Sequence, residues 1–260
     1  MIQSQQIPKE FLMISRRLAQ SKRPVRKTGS RGASLAEQAY QLTLDQILQG
    51  SLPIGSTVSR RHLAERFGMS LVPVAEALQR LENEGLVESR PRAGTRVRVP
   101  TAEDVRGSFE VREALECQAA RLCADRASFQ ERLELERSAE NLDTLFARAP
   151  AEKTIDGFGF AVEKYHVEFH MQIADYAHSR ALRDAIEKSH VLVLNWLYDV
   201  ASKRRTLPPH FHASLTKIIV GGNVDQAERA MREHVRHGLE EVQRTVAMSS
   251  GGLWRAKRPT

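Results

Sequence analysis

The sequence predicts a mainly α-helical protein made of two units: three helices with a β-hairpin in front, and an antiparallel bundle of about six helices behind. Between residues 34 and 100, segments of helical periodicity give way to one that alternates polar and apolar residues. Between residues 104 and 248, apolar residues recur at helical spacing with no such alternation. A chain of 260 residues with 41% hydrophobic content can fill both cores.

Basic segments flank the two units. Residues 1–33 contain eight Lys and Arg against one Glu, an excess equal to the net charge of +7 of the whole chain. We expect this segment to be a disordered basic arm, and residues 249–260 to be a flexible tail. Two interpretations of the arm stay open: it adds sequence-independent attraction to phosphates, or it is a solvated leader.

Each helix of the front unit is predicted to begin after a serine, a residue that favours helix N-termini. The first follows Ser34. The second follows Ser59 and ends at Gly68, which adopts the left-handed conformation common at helix ends. The third follows Ser70 and ends before Gly85. The third helix is expected to bury one apolar stripe, formed by Val74, Ala77, Leu78 and Leu81.

A β-hairpin follows directly. Residues 86–88 are a short strand candidate, residues 90–94 contain the turn residues Pro91 and Gly94, and residues 95–99 alternate with period two. Helix, turn, helix and hairpin together predict a winged helix-turn-helix over residues 34–100.

A winged helix-turn-helix indicates binding to double-stranded operator DNA. The second helix of the pair fits the major groove, and the wing brings cations to the backbone or the minor groove. A merely solvated hairpin is the alternative. The candidate DNA-binding residues are Arg60, Arg61, Ser70, Leu71, Val72, Ala75, Gln79, Arg80, Arg92, Gly94 and Arg96.

Residues 34–99 also resemble the GntR family of bacterial regulators. The segments that carry the resemblance are ILQGSLPIG, LAERFGMS, PVAEALQRLENEGLVE and RPRAGTRV. The resemblance implies that residues 59–67 and 70–84 form the helix pair and that Arg92 and Gly94 lie at the wing tip.

The chain departs from the family pattern at two groove-facing positions. Leu71 and Ala75 stand where the family usually has Arg, which pairs bidentately with guanine. Leu and Ala can instead touch a thymine methyl group, while Gln79 or Arg80 supplies polar contacts. We therefore expect an operator unlike the family norm, or weaker specificity with more reliance on the wing and the arm. Loss of DNA binding is the remaining alternative.

The rear unit is predicted to contain helices at about 104–126, 128–148, 156–178, 180–202, 208–220 and 223–247. His166 and His170 share one helix face at a spacing of four. His212 and His234 come to lie opposite each other if the chain reverses at Gly221 and Gly222. Four converging imidazoles suit zinc or nickel. By spacing alone, unrelated histidines are the stronger interpretation.

Residues 104–248 resemble the FCD effector domain of the FadR-type subgroup. The resemblance rests on VREALECQAARLCAD, on HVEFH and on HASLTKIIVGGNVDQAERAMREHV. It implies a divalent transition metal, zinc with nickel as the alternative, held by His166, His170, His212 and His234. His166 replaces the family's acidic ligand, which shifts the preference toward borderline metals.

The same resemblance implies a small carboxylate effector that completes the coordination of the metal. Arg112 is the candidate partner of its acid group, with Tyr165 and Asn195 as weaker candidates. Pairing within its own helix with Glu116 is the alternative role of Arg112. The expected protein is a ligand-responsive homodimeric regulator, and specifically a repressor that the effector releases from DNA.

Other classes are disfavoured. No run of 18 apolar residues and no secretory signal is present, so a cytoplasmic protein with no membrane partner is expected. Cys117 and Cys123 are expected to be buried free thiols. A metallohydrolase is not expected, because helical phase is predicted to place neither Glu163 nor Glu168 on the histidine face and no HExxH occurs. The third interpretation, after a ligand-responsive repressor and a metallohydrolase, is an architectural DNA-binding protein without an effector.

Overall fold

A computed structural model of the chain describes residues 34–48, 50–90, 94–149, 158–189 and 207–249. The basic arm, the wing tip with Arg92, Asn195 and the end of the tail lie outside the described residues.

The front unit contains α1 (Leu35–Leu48), β1 (Thr57–Val58), α2 (Arg60–Phe67), α3 (Leu71–Asn83), β2 (Val87–Arg90) and β3 (Gly94–Val97). As predicted, Ser59 caps α2 by accepting a hydrogen bond from the backbone amide of His62, and Gly68 ends the helix in the left-handed region at φ 63°. Ser70 stands at the start of α3, but its hydroxyl makes no capping hydrogen bond.

The sheet has one more strand than the predicted hairpin. Its order is β1-β3-β2, with both pairings antiparallel; Thr57 lies opposite Arg96, and Val87 lies opposite Val97. The two residues of β1 are too few to show an alternating pattern, which explains why sequence reasoning missed them. The stripe Val74, Ala77, Leu78 and Leu81 is buried as expected, against side chains of α1, α2 and the sheet.

The rear unit contains α4 (Ala102–Arg126), α5 (Phe129–Arg148), α6 (Phe158–Tyr176), a helical segment α7 at residues 180–189, α8 (Phe211–Val220) and α9 (Val224–Ser249). The described part contains strands only in the front unit, so the fold is mainly α as predicted. Cys117 and Cys123 are buried free thiols, also as predicted.

Helices α4 and α9 lie side by side, α8 packs on α5, and α6 contacts both α4 and α5. Phe169, Leu135, Leu142, Ile173 and Ile219 fill the space among them. This packing brings α4, α5, α6, α8 and α9 around one buried centre. Among the described residues, none of the helices is both long and apolar enough to span a membrane.

Candidate functional site

The first candidate surface is the exposed start of α3. The side chains of Leu71 and Val72 are 56% and 65% exposed, although both are large and apolar. Ala75 is half-buried on the same side, and Gln79 is exposed one turn further and donates to Asn83 at 3.3 Å. The buried stripe faces the core, so these residues form the outward face of the helix.

Arg80, also a candidate DNA-binding residue, is held against α1. Its guanidinium donates to Glu37 at 2.7 Å and to Glu84 at 3.1 Å. The same group lies 3.7 Å from the centre of the Tyr40 ring. Arg80, the one cation of α3, is thus already bound by two carboxylates and an aromatic ring.

The arginines of α2 and the wing differ in their surroundings. Arg60 is exposed, and Arg61 pairs with Glu65 across one exposed turn at 3.1 Å. In the wing, Arg96 pairs closely with Glu88 on the neighbouring strand, and Arg90 lies 3.6 Å from the same carboxylate. Gly94, with φ 77°, begins β3 in a conformation that only glycine adopts easily.

The second candidate site is a buried histidine centre between α6, α8 and α9. The Nε2 atoms of His166 and His170 are 3.0 Å apart, and those of His170 and His234 are 3.2 Å apart. One ring nitrogen from each of these three histidines lies within 4.8 Å of the others. The ring centre of His212 is 4.9 Å from that of His166 and 5.3 Å from that of His234. All four histidines singled out in the sequence therefore converge.

Carboxylates stand behind three of these rings. Glu116 on α4 lies 2.6 Å from Nδ1 of His170, and Asp143 on α5 lies 2.7 Å from Nδ1 of His212. Glu163 lies 3.8 Å from Nδ1 of His166. At His170 and His212 the carboxylate is within hydrogen-bond distance of Nδ1, where it fixes the ring orientation and favours the tautomer that leaves the Nε2 lone pair facing inward.

Glu163 corrects one expectation from the sequence. The prediction that Glu163 faces away from the histidines is wrong. Residues 163, 166 and 170 follow an i, i+3, i+7 spacing and share one side of α6. Its side chain is buried behind His166, at the outer nitrogen of the ring.

Asp143 was missed in the sequence, which offers no local signal because Asp143 and His212 are 69 residues apart. Its carboxylate also accepts hydrogen bonds from the backbone amides of His212 and Ala213, both at 3.0 Å. Burial raises the pKa of Asp143, but the hydrogen bonds from His212 and Ala213 and the electrostatic attraction of the His212 ring outweigh it and lower the pKa of this carboxyl. Asp143 thus fixes both the ring of His212 and the first turn of α8.

His234 is held in its neutral form. Burial, followed by electrostatic repulsion from His170 and His212, lowers the pKa of His234 well below its ordinary value of 6.5. The face of Phe211 stacks on its ring with the centres 4.8 Å apart. A neutral imidazole is the form that binds a metal.

A cleft opens onto the centre and includes a candidate effector residue. Its described lining includes Phe109, Arg112, Leu207, Phe211, His237 and Glu241 together with His166, His212 and His234. Arg112 both borders this cleft and donates to Glu116 at 2.7 Å, in an almost fully buried pair. The two roles that the sequence left open for Arg112 are therefore compatible.

The other two effector candidates are placed differently. Tyr165 is buried beside Ser138 and Asn141 of α5, and it is not among the described residues that line the cleft. Asn195 lies outside the described residues. His237, which the sequence did not single out, borders the cleft and packs on Phe211.

The donor set fits a transition metal. Two nitrogens bound at 2.0–2.1 Å in tetrahedral geometry lie about 3.3 Å apart, close to the spacings of 3.0 and 3.2 Å between the Nε2 atoms. The carboxylates at Nδ1 of His170 and His212 are the outer partners that metal-binding histidines usually have.

A winged helix-turn-helix joined to a helical domain with an enclosed polar centre defines a class of protein, the DNA-binding transcription regulators with an effector domain. Residues 35–97 match the family described as "Bacterial regulatory proteins, gntR family", and residues 108–237 match the FCD domain. The chain belongs to the GntR family, and the FCD domain is its effector-binding half.

Similar proteins are regulators of the same kind. The chain is 30% identical over 237 residues to the probable D-xylose utilization operon transcriptional repressor of Paenarthrobacter nicotinovorans, covering 90% of this chain and 96% of that protein. It is 26% identical over 210 residues to the transcriptional repressor RspR of Escherichia coli K12, covering 79% and 88%. The solved structure of E. coli McbR/YncC has the same fold, with a TM-score of 0.67 at 20% identity over 83% of this chain and all of that one.

Proposed function

We propose that the protein is a homodimeric repressor that binds operator DNA in the cytoplasm and releases it when a small carboxylate enters the cleft beside a metal held by the histidine centre. The observation that carries this proposal is the convergence of four histidines from three helices, two of them backed at Nδ1 by a buried or half-buried carboxylate.

The nitrogen-only donor set favours zinc, with nickel as the alternative. His166, His170, His212 and His234 would hold the metal, and imidazole nitrogen suits both ions better than magnesium or calcium. The metal supplies a Lewis-acidic anchor to which a carboxylate can bind. Replacement of the family's acid by His166 removes one negative charge from the ligand set, which makes the centre more receptive to an anion.

Arg112 supports an anionic effector. It borders the cleft, and Glu116 fixes its guanidinium in place. Phe109, Leu207 and Phe211 form apolar walls, so the cleft suits a small organic acid with a hydrocarbon part.

Sensing explains the centre better than catalysis does. A hydrolytic base must face the open coordination position of a metal. Glu116 and Glu163 instead lie at the outer nitrogens of His170 and His166. They position the rings, and neither is placed to activate a water bound on the inner side.

The test is release of DNA by small organic acids. We would measure, by fluorescence anisotropy, binding of the full chain to the promoter upstream of its own gene, with a random duplex as control. At least one acid of a panel of hydroxy acids and sugar acids is expected to weaken binding about 5- to 150-fold, the usual range of coupling between sites.

Two variants separate the parts of this proposal. Arg112→Lys keeps the positive charge but loses the planar guanidinium that pairs with a carboxylate through two hydrogen bonds. The variant should therefore need a higher acid concentration for the same release of DNA. His178→Ala, which changes an exposed histidine outside both the centre and the DNA-binding unit, is the matched control. If the His212→Ala variant, in which the centre is broken, still releases DNA when the acid is added, the proposal is contradicted.

A further inference from the structure

The exposed start of α3 is apolar, and the helix has no uncommitted cation that could pair with a base. Leu71 and Val72 are more than half exposed. Arg80, the one basic residue of α3, is bound to Glu37 and Glu84 and covers Tyr40. The usual bidentate pairing of arginine with guanine therefore has no donor on this helix.

The position of Leu71 and Val72 at the start of α3 determines which groups of the DNA they contact. In a helix-turn-helix, the N-terminal residues of the second helix contact base edges in the major groove. The apolar group that a base presents in this groove is the C5-methyl of thymine. Leu71 and Val72 lie within residues 35–97, which match the GntR family, and Arg60 on α2 is exposed and offers a cation of the kind that binds phosphates.

We propose that Leu71 and Val72 read the C5-methyl groups of thymines in each operator half-site. This inference rests on the proposed binding of operator DNA and names the feature of that DNA which the protein recognises. Glu76 and Gln79, exposed one and two turns further along α3, supply the polar contacts beside the methyl groups. Specificity then comes from shape and apolar contact rather than from arginine.

Deoxyuridine tests the inference, because it differs from thymidine only by the missing methyl group. The probe is a duplex that the wild-type full chain selects from a random-sequence pool, remade with each thymine in turn replaced by deoxyuridine. Affinities are measured at one fixed salt concentration, because phosphate contacts depend on salt. At one or more positions in each half-site, the replacement should weaken binding about fourfold for each buried methyl group.

The variants Leu71→Ser and Val72→Ser, which replace the apolar side chain with a small polar one, should bind the thymine and deoxyuridine duplexes equally at the position that each residue reads. Both side chains are exposed, so the variants should fold normally, which circular dichroism checks. Val111→Ala, which removes an equally exposed apolar side chain from α4, is the matched control and should keep the discrimination.

Two results would overturn the inference. Wild-type protein that binds the selected duplex equally well with every thymine replaced would leave operator binding intact and remove methyl recognition. A pool from which no duplex is enriched would remove operator binding itself, and methyl recognition with it.

Discussion

At the scale of single residues, the histidine centre is defined by what stands behind each ring. His170 and His212 contact Glu116 and Asp143 through Nδ1, so their Nε2 atoms face inward. Aromatic rings close the space around them: Phe146 stacks on His212, and Phe211 stacks on His234. The result is a buried pocket that disfavours extra charge, and this is why the pKa of His234 is lowered.

The lowered pKa of His234 predicts acid sensitivity of the metal-free protein. In the unfolded chain the histidine takes up a proton near pH 6.5, while in the folded chain it stays neutral. The unfolded state therefore binds more protons below that pH, and stability falls as the pH falls. After removal of metal with a chelator, lowering the pH from 7.5 to 5.5 should cost on the order of 1 kcal/mol through this residue.

His234→Gln isolates this contribution, because glutamine does not titrate. Its free energy of unfolding, measured by urea titration after chelation, should fall less over the same pH interval than that of wild type, by on the order of 1 kcal/mol. His62→Gln, at an exposed position, is the control and should behave like wild type. Equal pH dependence of His234→Gln and wild type would show that His234 is not held neutral.

The residues of this centre differ in how far the sequence could predict them. His212 and His234 were predictable because a tight turn at Gly221 and Gly222 reverses the chain midway between them. Asp143 was not predictable, because only the packing of α5 on α8 brings it to His212. Glu163 had a local signal, because a spacing of three residues from His166 places both side chains on one face of a helix.

At the scale of elements, the helix ends follow local rules. The α4 and α5 helices begin with reciprocal hydrogen bonds, between Thr101 and Asp104 and between Ser128 and Glu131. The α2 helix ends at Gly68, where the backbone is left-handed. Such ends were predictable because each depends on residues within a few positions of one another, whereas β1 depends on pairing with β3, about 38 residues later.

Two glycine substitutions separate the conformational requirement from the packing. An added Cβ meets no atom within 4 Å at Gly68 or at Gly107, which lies inside α4. Gly68→Ala should cost about 1–2 kcal/mol, because a side chain destabilises the left-handed conformation. Gly107→Ala should stabilise by about 0.5–1 kcal/mol, because alanine favours a helix interior.

The shift of the urea unfolding midpoint measures both effects. Since neither site is crowded, opposite signs can come only from backbone conformation. A neutral or stabilising Gly68→Ala would mean that α2 does not end in the left-handed turn described for it.

At the scale of the whole molecule, α4 connects the two units. Near its start, Asp104 pairs at 2.7 Å with Arg98, which follows the last strand of the wing. Twelve residues further, about 18 Å along the axis, Glu116 contacts His170 of the centre. Ile54 of the front unit packs against both hydrophobic cores. A change at the centre that moves α4 therefore has a physical route to the DNA-binding unit.

The centre is also a whole-molecule feature, because its histidines come from α6, α8 and α9 and its carboxylates come from α4, α5 and α6. The order of these helices was readable from the periodicity of the sequence. Their convergence on one point was implied only by the resemblance to the FCD domain, because histidine spacing alone favoured unrelated residues.

The most direct test of this account is the metal content of the full chain, purified without chelators and measured by inductively coupled plasma mass spectrometry. We predict about one zinc or nickel ion per chain in wild type, almost none in His170→Ala or His234→Ala, and full occupancy in the control His178→Ala, which changes an exposed histidine beside Glu131. Wild-type protein that holds no metal even after incubation with zinc or nickel, or a His234→Ala variant that keeps full occupancy, would contradict the account.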